Sequence, residues 1–97
     1  MFARVTMFQM RSDRIDEAIK IYIENVTPVR KSQKGACGGY FLTDRKASKC
    51  MAISLWANEE DALTNERSGY YQEQLCKFKN LLAAPIAREL YEVSAEG

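Results

Sequence analysis

The chain has no histidine among its 97 residues. That absence removes the commonest general base near neutral pH and the commonest ligand of metals and haem. It also excludes Ser–His and Cys–His nucleophilic arrangements. Cysteine is scarce: Cys37, Cys50 and Cys76 are an odd number with no C-x-x-C spacing, so neither a disulfide framework nor a zinc site follows. No apolar run reaches membrane-spanning length, and the start M-F-A-R-V-T-M-F-Q-M lacks the long apolar core of a secretion signal. The expectation is a cytoplasmic protein with reduced thiols and no membrane partner. An excess of one charge is missing too: 14 basic and 13 acidic residues leave a net charge of +1. The clusters Arg30-Lys31-Lys34 and Arg45-Lys46-Lys49 are short, and read as a solvated helix end and a solvated hairpin tip. No nucleic-acid partner is implied.

What the chain does have is apolar surface. Hydrophobic residues make up 46%, including five tyrosines, four phenylalanines and a single tryptophan. A domain this short buries only about 60–65% of the surface its unfolded chain exposes. One domain over residues 1–97 therefore carries more apolar surface than it can hide, and association with a second copy would bury the excess.

The order of elements follows from periodicity. Phe2 to Met10 is rich in strand formers, with Phe2, Arg4, Thr6, Phe8 and Met10 on one side. Ser12 or Asp13 is expected to cap a helix whose stripe is Ile15, Ile19, Tyr22, Ile23, Val26 and Val29. Pro28 should kink that helix or end its first segment, and Gly35 is a natural stop. Cys37 to Asp44 and Lys49 to Trp56 form a hairpin around Arg45–Ser48. If Asp44 faces Lys49, then Tyr40 faces Ile53, Leu42 faces Met51, Gly38 faces Leu55 and Cys37 faces Trp56. Both faces of that hairpin come out largely apolar, so each needs a cover. Asn58 is a good helix N-cap, with Glu59, Glu60 and Asp61 in the first turn. Gly69 breaks the helical run, after which Tyr71, Leu75, Phe78 and Leu82 form a second stripe. Ile86 to Val93 reads as the last strand. The order β-α-β-β-α-β predicts an α+β, ferredoxin-like fold: a four-stranded antiparallel sheet with helices on one face. Two such sheets facing each other across a two-fold axis would hide both open faces.

Gly35, Gly39-Tyr40-Phe41-Leu42, Leu55-Trp56, Glu60, Ala62-Leu63 and Ser68-Gly69-Tyr70-Tyr71 resemble the antibiotic biosynthesis monooxygenase family. The resemblance implies the dimeric α+β barrel, and so a homodimer. Its members place histidines where this chain has Asn65 and Tyr70, and often a glutamate where it has Ser54. The chain is also one residue longer between Gly35 and Tyr40, which suggests a bulge at Gly38-Gly39.

The activity implied by the resemblance is cofactor-independent oxidation of an aromatic or quinol-like small molecule by dioxygen, with no metal and no cofactor. The alternative is a non-catalytic small-molecule-binding or stress-response module on the same fold. The implied catalytic residues are Trp56, Asn65 and Tyr70, with Tyr40, Phe41 and Tyr71 walling the substrate pocket. Asn65 would hydrogen-bond a substrate oxygen and a tyrosine would relay a proton. Packing roles stand beside these. Trp56 can pack a strand end with its N–H on a carbonyl, Tyr71 lies on a core stripe, and Asn65 can cap a helix.

Overall fold

Residues Ala36–Asp44 (β2) and Lys49–Trp56 (β3) pair antiparallel with Asp44 opposite Lys49, Tyr40 opposite Ile53 and Leu42 opposite Met51, as the turn chemistry predicts. The tip is set by Asp44, whose Oδ1 accepts from the amides of Lys46 at 3.1 Å and Ala47 at 3.2 Å. The expected Cys37–Trp56 pairing is corrected. Trp56 faces Ala36, and the register shifts between Ala36 and Gly38, leaving Cys37 as the extra residue of a bulge. Gly38 carries the distortion at φ +134°, so the bulge begins one residue earlier than the sequence suggested.

The structure, a computed structural model, describes residues 1–97. The first strand, Phe2–Gln9 (β1), pairs antiparallel with β3 on one side and with Ala87–Glu92 (β4) on the other. The sheet order is β2-β3-β1-β4. Beside that last strand the amide of Val93 donates to the carbonyl of Met1 at 2.9 Å. No helix is long and apolar enough to cross a membrane.

The first helical segment departs from a simple α-helix. Ile15–Ile21 (α1) runs into a wide π turn, Tyr22–Val26, and then into Thr27–Lys31 (α2). Pro28 lies in the first turn of α2, where its missing N–H costs least. The amide of Thr27 reaches back to the carbonyl of Tyr22, five residues earlier. The extra residue in that turn shifts the phase of the apolar stripe. Ile23, expected inside, is 61% exposed, while Ala18 and Tyr22 are buried. The expected cap is also corrected. Arg14 occupies the N-cap without a side-chain bond, and Asp13 sits in the left-handed region at φ +65°.

Asn58 caps Glu59–Arg67 (α3) as expected, its Oδ1 accepting from the amide of Asp61 at 2.9 Å. The break before Gly69–Cys76 (α4) falls at extended Ser68, and Gly69 opens the second segment rather than interrupting the first. A single 3₁₀ turn, Lys79–Leu81, leads toward β4. Gly35 joins these parts. Its φ of +79° ends the first helical run, and a Cβ there would lie 2.2 Å from Asp61 Oδ2.

Helices cover one face of the sheet only. That face supplies Phe8, Met10 and Cys50 to a core completed by Ile15, Ala18, Tyr22, Phe78 and Leu81. Phe41 stacks on Tyr22 with ring centroids 4.7 Å apart. The opposite face carries Val5, Met7, Met51, Ile53 and Leu55 at its centre, with Tyr40, Leu42 and Tyr91 exposed around them.

Candidate functional site

Between the sheet and the helices lies a cavity whose floor is β1 and β3. Phe8 and Ala52 come from the floor, Tyr22, Val26 and Val29 from the first helical run, Tyr71 and Leu75 from the second, and Phe78 from the turn after it. The cavity and its mouth together hold about 600 Å³ of non-atom space, of which about 70 Å³ admits the centre of a water molecule. The larger figure includes open solvent. The smaller one is several times what one water needs.

The polar wall residues are Arg4, Thr6, Arg30, Ser54, Asn65, Tyr70 and Gln74, together with the hydroxyl of Tyr71. None is a carboxylate. Arg4 lies on the inward face of β1, its guanidinium carbon 4.2 Å from the Tyr71 ring centre and 5.2 Å from that of Trp56. It donates to the carbonyl of Ala62 at 3.4 Å and meets Glu66 at 3.9 Å. Burial pulls Arg4 below the ordinary arginine value, and Tyr71 and Glu66 oppose that pull. Arg88 stands 5.4 Å from the same ring. The Tyr71 hydroxyl shares a hydrogen bond with Thr6 Oγ1 at 3.1 Å. Tyr71 is thus gripped by two cations and a hydroxyl.

The candidate residues read from the sequence divide three ways. Asn65, Tyr70 and Tyr71 all line the cavity. Asn65 is buried and donates to Gln33 Oε1 at 3.4 Å, whereas Tyr70 is half exposed at the rim. Phe41 lies behind the wall, stacked on Tyr22 within the core. Trp56 and Tyr40 are elsewhere. Trp56 is 0% exposed, does not line the cavity, and donates its indole N–H to Ser54 Oγ at 2.9 Å. Tyr40 points to the open face of the sheet, because the β2 register alternates it with Phe41.

Five polar wall residues were not among the candidates read from the sequence: Arg4, Thr6, Arg30, Ser54 and Gln74. Arg4 and Thr6 left a signal, since both share the inward side of β1 with Phe8 and Met10. Arg30 left none. Its cluster reads as a solvated helix end, but the guanidinium turns inward, its Nη1 donating to the Tyr22 hydroxyl.

No protein-family model matches the chain. Two uncharacterized proteins, from two strains of Mycobacterium tuberculosis, are each 34% identical to it over 59 residues, 61% of this chain. The match spans about a quarter of their length, 26%. Solved structures match far more of it. A cofactor-independent oxygenase from Streptomyces nogalater superposes with a TM-score of 0.80 at 12% identity, covering 98% of this chain and 94% of its own. The fold is that of the antibiotic biosynthesis monooxygenases. A Nitrosomonas europaea protein provisionally named as one gives a TM-score of 0.80 at 11% identity, over 98% of this chain and 100% of its own. A further Mycobacterium tuberculosis structure gives 0.77 at 15% identity, over 98% and 96%. The antibiotic biosynthesis monooxygenase fold is typically dimeric.

Proposed function

We propose that this protein is a cofactor-independent monooxygenase acting on an aromatic or quinol-like small molecule. The observation that carries the reading is the cavity itself: ring and aliphatic walls, ringed by hydrogen-bond donors, with no carboxylate among them. Such a site favours the ionised form of a phenol, because cations and donors stabilise the oxyanion and not the neutral hydroxyl. Asn65 and Tyr70 are the groups proposed to hold the substrate oxygen, and Tyr71 the ring that packs beside it. Trp56 supports the site from beneath rather than touching substrate. In the reaction, an ionised ring carbon gives electrons to dioxygen. One oxygen atom stays on that carbon as a carbonyl, and the other leaves as water with the two hydrogens lost by the substrate. Apolar walls keep bulk water from protonating the carbanion first.

The enclosed space limits the substrate. An engineered apolar cavity of about 150 Å³ takes one benzene ring, so about 70 Å³ holds only part of a ring and the rest lies in the mouth. Larger molecules must extend into the mouth past Tyr70. The site is proposed to work in a homodimer, the second copy covering Val5, Met51, Ile53 and their exposed neighbours.

Oxygen uptake on a panel of naphthoquinols and hydroxyanthraquinones tests the activity. Uptake is expected on at least one, with Asn65→Ala lowering kcat by about 10²-fold. Absence of uptake across the panel, beside a working relative, refutes it. The second reading, a non-catalytic binding or stress-response module on the same fold, is favoured by the packed position of Trp56. Binding without turnover decides for it.

A further inference from the structure

Arg30 is a cation held in place with nothing to neutralise it. The ion pairs of the molecule are Arg4–Glu66, Arg14–Glu17, Arg45–Asp16 and Arg88–Glu66, and Arg30 is in none. Its guanidinium is nevertheless fixed. Nη1 donates to the Tyr22 hydroxyl, and the guanidinium carbon lies 5.7 Å from the Tyr22 ring centre. Below it, Gly39 leaves the necessary space. A Cβ at Gly39 would come within 2.7 Å of Nη1 and 2.5 Å of the Ile53 carbonyl. Arg30 Nε is buried without a partner. On the same cavity wall Gln74, 8% exposed, has its Oε1 buried and also unpartnered. A buried donor and a buried acceptor left unpaired are costly, and both residues line one cavity, where a ligand would relieve that cost.

We infer that the cavity takes a small one-ring aromatic anion. Its carboxylate or phenolate oxygen accepts from Arg30, and a ring hydroxyl or amine gives its hydrogen to Gln74. Arg30 suits this role because the planar guanidinium fork pairs with oxyanions. The ring reaches from the cavity into its mouth, and the absence of wall carboxylates leaves nothing to repel it. This inference rests on the proposed reading of the cavity as a ligand site, and it narrows the ligand by charge, size and a donor group.

The test uses calorimetric titration with 3-hydroxybenzoate, its neutral isostere 3-hydroxybenzamide, and benzoate. The acid is expected to bind about tenfold or more tighter than the amide, and tighter than benzoate, which lacks the hydroxyl. Arg30→Gln should erase the preference for the acid while leaving amide affinity within roughly twofold, and Arg30→Lys should restore part of it. Tyr22→Phe, which removes only the hydroxyl that steadies Nη1, should weaken the preference without unfolding the core. Equal affinity for acid and amide overturns the inference, as does a preference that survives Arg30→Gln, or no binding of any of the three. Oxygen uptake separates this result from the activity proposed above. Tight binding of the acid with no uptake on any quinol removes the oxygenase and keeps the anion site. Uptake on a quinol, with equal affinity for the acid and the amide, removes the anion site and keeps the oxygenase.

Discussion

Replacing Trp56 with phenylalanine separates support of the site from contact with the ligand. Trp56 is fully buried, its N–H is spent on Ser54 Oγ at 2.9 Å, and Arg4 lies over its ring at 5.2 Å. Complete removal of a buried tryptophan costs about 3–5 kcal/mol, and keeping one aromatic ring reduces the packing loss to about 1–2 kcal/mol. The lost hydrogen bond adds about 1–2 kcal/mol, because buried Ser54 is left without its donor. The total is about 2–4 kcal/mol, or roughly 10–25 °C in Tm for a chain of this size. Thermal unfolding followed by circular dichroism, at one fixed protein concentration, reads it. Ligand affinity in the folded variant should change by less than about twofold. A Tm within about 3 °C of the parent, combined with a tenfold loss of affinity, refutes the argument and puts the indole against the ligand.

Burial pushes the pKa of the Cys50 thiol up to about 11 from the ordinary 9.0. The raised value means the protonated thiol is favoured by folding, so this stability is complete below pH 9.0 and is lost as pH rises toward about 11. Denaturant midpoints should fall over that window, and Cys50→Ala should flatten the fall. With a thiol reagent at pH 8, exposed Cys37 and Cys76 should react in the native protein, while Cys50 should react only after unfolding. Gly35→Ala meets both a left-handed backbone and Asp61 Oδ2 at 2.2 Å, and should cost about 2 kcal/mol or more by urea denaturation. A loss under half of that would show that Asp61 moves aside freely. For the homodimer, light scattering should give about twice 11.1 kDa, and Ile53→Glu on the open face should halve it. A parent mass of one chain at micromolar concentration counts against the paired sheets.

The hairpin was legible because its turn is chemically specific. One pairing, Asp44 with Lys49, fixes every partner up to Gly38, and alternation then separates Phe41 from Tyr40. The apolar character of both hairpin faces likewise announced a cover, which the helices supply on one side. Reading stopped where the backbone adds a residue. At Cys37 the bulge breaks the register, and at Tyr22–Val26 the π turn breaks the helical phase. Pro28 signalled a disturbance, but a fixed helical period cannot say that the disturbance will be absorbed by a wide turn. Ile23 was therefore read as inside, and Arg30 as solvated. The site was legible in proportion. Asn65, Tyr70 and Tyr71 converge on the cavity, whereas Trp56 ends a strand as expected but packs beneath it. Arg4 was visible as an odd charge on the inward side of β1, and its meaning became clear only with Tyr71 stacked on it.

The bond between the Val93 amide and the Met1 carbonyl ties the beginning of β1 to the end of β4. The two ends of the unit therefore share one edge of the molecule, away from the hairpin tip at Arg45–Ser48. A unit whose ends meet can be closed by a short link and reopened at that tip, or strung head to tail, without moving a strand. Tandem copies in a single chain would then be able to bring two open sheet faces together, trading a concentration-dependent partnership for a tethered one whose effective concentration is set by the linker.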